Sequence, residues 1–168
     1  MSEPEFSRLI DARQPPAKPV TIQASAYERE ALARRFGIIS INQLQATVTF
    51  DRDGEALAGR GQFTASIVQS CAVSGEDLPI AIGEPLALRF VPARQSEDEE
   101  IELAAEDLDE VEFEGDTVDL GEAVAQSLAL AIDPYAAGPE AERVRKQVLS
   151  DETAVGPFAA LAALRKEP

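Results

Sequence analysis

The sequence predicts an α+β protein. Its core is an antiparallel β-meander, an open sheet or a partly open barrel, packed by an N-terminal helix and a later helix and followed by a C-terminal helical tail. Three observations carry this. Stretches near residues 26–36 and 120–130 place apolar residues at helical spacing behind capping signals. Between them, residues 43–50, 57–69, 78–90 and 111–113 alternate apolar and polar side chains with a period of two. The connections joining these stretches are short, and none reads as the helical crossover that parallel strands need.

At 168 residues with 45% hydrophobic content, the chain is sized for one domain. Such a domain buries roughly 70% of its unfolded surface. Aromatics are 5% and tryptophan is absent, so the core is aliphatic. The expected organisation is a loosely structured, proline-bearing arm over 1–19, a single α+β domain over 20–137, and a charged segment with a C-terminal helix over 138–168.

Within the domain, Val20 and Ile22 alternate with Thr21 and Gln23 as a short strand. Ser25 and Glu28 form a capping-box pattern, in which each side chain satisfies the other residue's backbone N–H. The helix they start runs to Phe36, where Gly37 suits a left-handed ending. Its exposed side is expected to show Arg29, Arg34 and Arg35. Leu44, Ala46, Val48 and Phe50 mark a strand with one wet face, and Asp51-Arg52-Asp53-Gly54 is a turn signal. The strand over 57–69 contains Gly59 and Gly61, expected to mark a bulge or kink. A further strand pair, 78–82 and 86–90, is expected to break at Gly83–Pro85. Val111 and Phe113 suggest one more short strand. Asp119 and Glu122 repeat the capping logic ahead of a largely apolar helix, which Asp133-Pro134-Tyr135 stops. Residues 138–153 suit either a helix or a loose segment. Pro157 fits a first helical position, and Phe158, Leu161 and Leu164 follow at helical spacing.

Charge and composition exclude several classes of function. No stretch approaches the roughly 20 apolar residues that span a bilayer, and the first ten residues carry Glu3 and Glu5 where a secretory signal needs an apolar run. The single cysteine, Cys71, cannot form an internal disulfide and fits a reducing cytoplasm. The net charge of −16 opposes non-specific binding to nucleic acid or anionic membrane and permits a basic partner.

Histidine is absent, which removes the commonest general base and metal ligand and any Ser–His or Cys–His nucleophile. No phosphate-binding glycine loop occurs. Carboxylates remain: Asp107, Asp109, Glu110, Glu112 and Glu114 could hold Ca²⁺ or Mg²⁺ loosely. The alternation of Glu110, Glu112 and Glu114 with Val111 and Phe113 reads better as a solvated strand face. Acidic neighbours should raise the Cys71 pKa, and the favoured reading of Cys71 is a small, half-buried structural residue. No metal, catalytic residue or cofactor is expected.

Four motifs in order give the chain a family resemblance. Ser25-Ala26-Tyr27-Glu28-Arg29-Glu30-Ala31-Leu32-Ala33-Arg34-Arg35-Phe36-Gly37 resembles the helix of the alphaproteobacterial branch of the YceD family, named for large ribosomal RNA subunit accumulation. Val68-Gln69-Ser70-Cys71-Ala72-Val73-Ser74 resembles its central cysteine motif. Val118-Asp119-Leu120-Gly121-Glu122-Ala123-Val124, with Asp133-Pro134-Tyr135 beyond, resembles its acidic helix and proline segment. Pro157-Phe158 through Leu164-Arg165 resembles its tail. Many members carry Cys-x-x-Cys at the central motif, which suggests a metal site; here the second position is Ser74, and one thiolate cannot hold zinc alone.

The resemblance implies a cytoplasmic bacterial ribosome-biogenesis factor that supports accumulation of large-subunit rRNA, and the lack of catalytic side chains leads to the expectation that it is not an enzyme. Its expected partner is a basic ribosomal or assembly protein, held by Glu97, Asp98, Glu99, Glu100, Asp107, Asp109, Glu110, Glu112 and Glu114. Contact with rRNA through Arg29, Arg34 and Arg35 is a second form of the same reading. Two alternatives stay open: a carboxylate-metal enzyme, and a structural interaction protein, such as a homodimer, unrelated to ribosomes.

Overall fold

The computed structural model describes residues 4–93 and 109–155. The elements in order are β1 (Leu9–Asp11), β2 (Val20–Gln23), α1 (Ala26–Phe36), β3 (Ser40–Asp53), β4 (Ala56–Ser70), β5 (Asp77–Pro92), β6 (Asp109–Phe113), β7 (Thr117–Asp119), α2 (Leu120–Ala131) and α3 (Ala141–Val155). Contacts group them into two units. One comprises Met1–Val68 and Pro79–Ile132, the other Gln69–Leu78 and Asp133–Pro168.

The first unit is built on an open sheet in the order β2-β3-β4-β5-β6, so the α+β class holds and the sheet does not close into a barrel. β3 pairs antiparallel with β2, from Val20↔Val48 to Gln23↔Gln45, and with β4, from Ser40↔Val68 to Asp53↔Ala56. Gly54, at φ 63°, takes the left-handed conformation that this hairpin tip needs. The two-residue period works as expected: Leu44, Ala46, Val48 and Phe50 are buried while Gln43 and Thr49 are exposed. The meander departs from expectation at its far edge. β6 pairs parallel with β5, from Leu88↔Asp109 to Pro92↔Phe113. Local alternation identifies a strand but carries no information about its direction. The expected break at Gly83–Pro85 is also absent, and β5 runs through it as one strand.

Both helices cover the core as their caps dictate. Ser25 Oγ accepts from Glu28 N, the Glu28 carboxylate accepts from Ser25 N, and Gly37 closes α1 at φ 66°. α1 contributes Leu32 and Ala33 to the core; α2 contributes Leu120, Val124 and Leu128. These meet Leu44, Val48, Phe63, Ile67, Leu88 and Phe90 of the sheet in one apolar cluster.

Of the loose arm expected over 1–19, the stretch from Phe6 to Ala12 is instead built into this unit. Phe6 is fully buried, Ile10 and Ala12 are buried, and β1 pairs antiparallel with β7. Two carboxylates stitch the segment down. Asp119 Oδ2 accepts from Ser7 Oγ at 2.6 Å and its Oδ1 from Arg8 N at 2.8 Å, while it also caps α2 through Glu122 N at 3.2 Å. The Arg8 guanidinium makes a two-pronged bond to Glu28, at 2.7 and 3.0 Å. Gly121 permits this approach, since a Cβ there would meet the Phe6 carbonyl oxygen and the Arg8 amide. The prolines Pro15, Pro16 and Pro19 lie between β1 and β2 and do not prevent the pairing.

The Arg8 hydrogen bonds, with the Ser25 backbone and side chain, hold the Glu28 carboxyl at a pKa of about 2 against an ordinary 4.5. A depressed carboxyl stabilises the fold fully above its unfolded pKa and loses that contribution as pH falls through the folded value. The shift corresponds to about 3 kcal/mol unscreened, reduced to about 1–2 kcal/mol because the Arg8 side chain is 35% exposed. Urea denaturation at about pH 5 and about pH 2 should show this loss in the parent and a smaller one in Glu28→Gln. Equal losses in both proteins would remove Glu28 from the acid response.

The second unit holds the Cys71 loop, the Asp133–Ala136 turn region and α3. Residues 138–153, expected as helix or loose chain, form most of α3. The C-terminal helix expected from Pro157 and Phe158 onward lies outside the described residues.

Candidate functional site

The cysteine motif sits where β4 ends. Cys71 N donates to Glu76 O at 2.7 Å and Gly75 N to Cys71 O at 3.0 Å, with Gly75 left-handed at φ 76°. This tight turn wraps backbone amides around the sulfur. Cys71 Sγ accepts from Ser74 N at 3.3 Å, Gly138 N at 3.4 Å and Val73 N at 3.5 Å. The loop is tied to the 133–140 segment of the same unit by Ala72 N to Ala136 O at 3.0 Å and Gln69 Nε2 to Asp133 O at 2.7 Å.

This surrounding reverses the expected titration. The Ser74 hydroxyl first, and then the backbone amides of Ser74, Gly138 and Val73, stabilise the charged form and bring the Cys71 thiol down to about 6 from 9.0. Donors in direct contact outweigh acidic neighbours, an effect that sequence proximity could not reveal. The Ser74 hydroxyl also donates to Glu76 Oε1 at 3.2 Å, which ties the turn to that carboxylate. Cys71 is also more buried than expected, at 3% exposure. The sulfur is shielded from solvent.

The donor set does not fit the metal that the family motif suggests. Zinc needs about four thiolate, imidazole or carboxylate ligands. Here the one sulfur is already ringed by N–H donors. Glu76 Oε1, on the same turn, is engaged by Ser74 Oγ and by Glu140 N, each at 3.2 Å. Among the described residues no three acidic or thiol side chains gather in a metal-binding group.

The candidate RNA-contacting arginines of α1 are mostly committed within the protein. Arg29 donates from Nη1 to Ala24 O at 2.8 Å and from Nε to Ile41 O at 3.2 Å. Arg35 grips Glu122 with both terminal nitrogens, at 2.8 and 3.0 Å, and reaches Glu5 at 3.0 Å. Arg34 points to solvent and pairs with Glu30 one turn earlier at 2.7 Å. The expectation of one free basic face therefore does not hold for Arg29, which is held by backbone carbonyl oxygens, or for Arg35, which is held by carboxylates from distant parts of the chain.

The acidic candidates are partly resolved. Glu110, Glu112 and Glu114 are exposed, while Val111 and Phe113 are half-buried and pack on the core, as a solvated strand face requires. Glu110 lies 3.7 Å from Arg89, which also approaches Asp53 at 3.3 Å. Asp109 opens β6; Glu97, Asp98, Glu99, Glu100 and Asp107 lie outside the described residues. Asp119 and Leu120 mark the cap and first turn of α2, Leu120 fully buried, and Pro134 follows that helix exposed. Sequence reasoning missed the Arg8–Glu28 pair; its one available signal was an arginine between apolar Phe6 and Ile10.

No helix among the described residues is long and apolar enough to cross a membrane. A search of curated proteins and a search of solved structures each gave no match. A comparison with family models did. The model of "Large ribosomal RNA subunit accumulation protein YceD" matches residues 59–165, a span that takes in most of β4, the Cys71 turn, β5 to β7, α2 and α3. With well over half the sequence covered and the cysteine turn and capped acidic helix inside the match, the chain belongs to the YceD family.

Proposed function

We propose that this protein is a non-enzymatic, cytoplasmic factor in ribosome biogenesis, supporting accumulation of large-subunit rRNA by holding a basic ribosomal or assembly protein. The family match carries the biological part of this reading. The physical part rests on charge. A net −16, with Glu110 and Glu112 exposed on β6 and Glu114 exposed just beyond it, speeds encounter with a cationic partner and selects against anionic ones. A protein partner is favoured over direct rRNA contact because Arg29 and Arg35 are engaged internally and Arg34 is paired. A binding role is favoured over catalysis because histidine is absent and the lone cysteine is enclosed.

The test is affinity capture of the tagged full chain from cells, with mass spectrometry of what elutes at low and high salt, alongside measurement of large- to small-subunit rRNA in a deletion strain. Basic ribosomal or assembly proteins released by salt, and a lowered rRNA ratio, are the expected results. An unchanged ratio, or a captured set without such proteins, overturns the reading.

A further inference from the structure

Two side chains of the Cys71 turn reach across to the stretch that leads into α3. Cys71 Sγ accepts from Gly138 N at 3.4 Å, and Glu76 Oε1 accepts from Glu140 N at 3.2 Å. Ala72 N to Ala136 O at 3.0 Å and Gln69 Nε2 to Asp133 O at 2.7 Å extend the same seam. We infer that the turn is a metal-free clip in this protein: the Cys71 sulfur and the Glu76 carboxylate hold the lead-in to α3 by accepting hydrogen bonds from its backbone, without the ion that a Cys-x-x-Cys motif would recruit.

Three observations support this. The first is what each acceptor holds. The sulfur takes Ser74 N and Val73 N from its own turn, at 3.3 and 3.5 Å, and its third donor lies 67 positions along the chain. Glu76 Oε1 likewise takes the Ser74 hydroxyl from within the turn and the Glu140 amide from outside it. Each acceptor therefore shapes the turn and ties it to the second segment. The second observation is position 74, where a thiol would offer a further metal ligand. Ser74 Oγ instead donates to Glu76 Oε1 at 3.2 Å and accepts from Glu76 N at 3.4 Å, so this side chain orients the carboxylate. The third is Gly138. A Cβ there would run into the Glu76 carboxylate and the Leu78 side chain, so the close approach needs glycine.

The clip acts where α3 begins. Glu140 O accepts from Val144 N at 3.1 Å, the first bond of that helix, and Ala141 beside it is buried. The Glu76 carboxylate therefore meets the positive end of the α3 dipole, where a negative charge is favourable. A structural zinc needs about four ligands. The turn offers one sulfur and one carboxylate, and both are engaged by N–H and O–H donors.

This inference is independent of the proposed partner, and its test needs none. The full chain, purified without chelator, should hold less than about 0.1 zinc per molecule by elemental mass spectrometry, and EDTA should leave its Tm unchanged. Amide hydrogen exchange followed by NMR reads the clip itself. Glu76→Ala should speed exchange at Gly138 and Glu140 about 10-fold while the β3 amides keep their parent rates. Glu76→Gln, which keeps an acceptor oxygen, should restore most of that protection. Cys71→Ala should speed exchange at Gly138 more than at Glu140. Ser74→Ala, a milder change, should give the Glu76→Ala pattern at about 3-fold. Zinc near one per chain whose removal lowers Tm overturns the inference. So does protection at Gly138 and Glu140 that survives both Glu76→Ala and Ser74→Ala, or a uniform loss across β3 and α3 in both variants, which would make these residues general contributors to stability.

Discussion

Phe6→Ala should lower the free energy of unfolding by about 3–5 kcal/mol and Tm by roughly 10 °C. The ring is fully buried, with the Arg8 guanidinium 4.8 Å from its centroid and the backbone on either side held by Asp119 and Gly121. Truncation removes the ring's transfer free energy and leaves a cavity that the tightly spaced β1–β7 pair cannot easily close. Urea denaturation gives the number, and thermal melting gives an independent check. An N-terminal segment that is loose, as its prolines and glutamates suggest from sequence alone, would show less than about 0.5 kcal/mol, the ordinary cost of a surface change. A result of that size would detach the segment from the fold.

Gly61→Val is the second large effect, expected to cost about 3 kcal/mol or more. Gly61 lies opposite Val48 in the β3–β4 ladder, and a Cβ there would run into the Thr47 carbonyl oxygen and approach the Val48 Cα. The obstruction is backbone, so relief requires the two strands to separate along a ladder paired from Ser40 to Asp53. Gly59 provides the contrast. A Cβ at Gly59 would sit 3.2 Å from Val48 Cγ1 and 3.3 Å from the Phe50 ring, side-chain atoms that can give way. Gly59→Ala is therefore expected to cost about 1 kcal/mol or less. Parallel chemical denaturation of the two variants reads out the difference; similar costs would show that the close approach at Gly61 is not what requires glycine.

These glycines show where local reading stops. Sequence marks both as an expected bulge, yet the β3–β4 register runs unbroken through Gly59 and Gly61, and the irregularity falls between Ile41 and Gln43. The features legible in advance were those fixed by neighbours: the Ser25–Glu28 box, the Gly37 ending, the alternation of Leu44 to Phe50, and the Asp119 cap. Those that were not legible depend on partners far along the chain. The burial of Phe6 needs Gly121, the direction of β6 needs β5, and the engagement of Arg35 needs Glu122 and Glu5. The Cys71 turn divides the same way. Its position was readable from the motif, but the lowering of the Cys71 pKa comes from the placement of the Ser74 side chain and then of backbone amides, one of them from Gly138 across the loop, and no residue pattern encodes those orientations.

The pairing of β1 with β7 has a bearing on how the chain is made. Ser7 and Asp119 are 112 positions apart, and the residues that seat Phe6 come from the far side of that interval. During synthesis the first strand therefore leaves the ribosome long before its partner exists. The hairpin of β3 and β4 can form early from near neighbours, but the N-terminal strand must wait, solvent-exposed, until the α2 region has emerged. Such late, long-range closure slows folding, since the chain gives up loop entropy before the contact repays it. The acidic side chains flanking the waiting Phe6, among them Glu3 and Glu5, keep that stretch charged while it is unpaired.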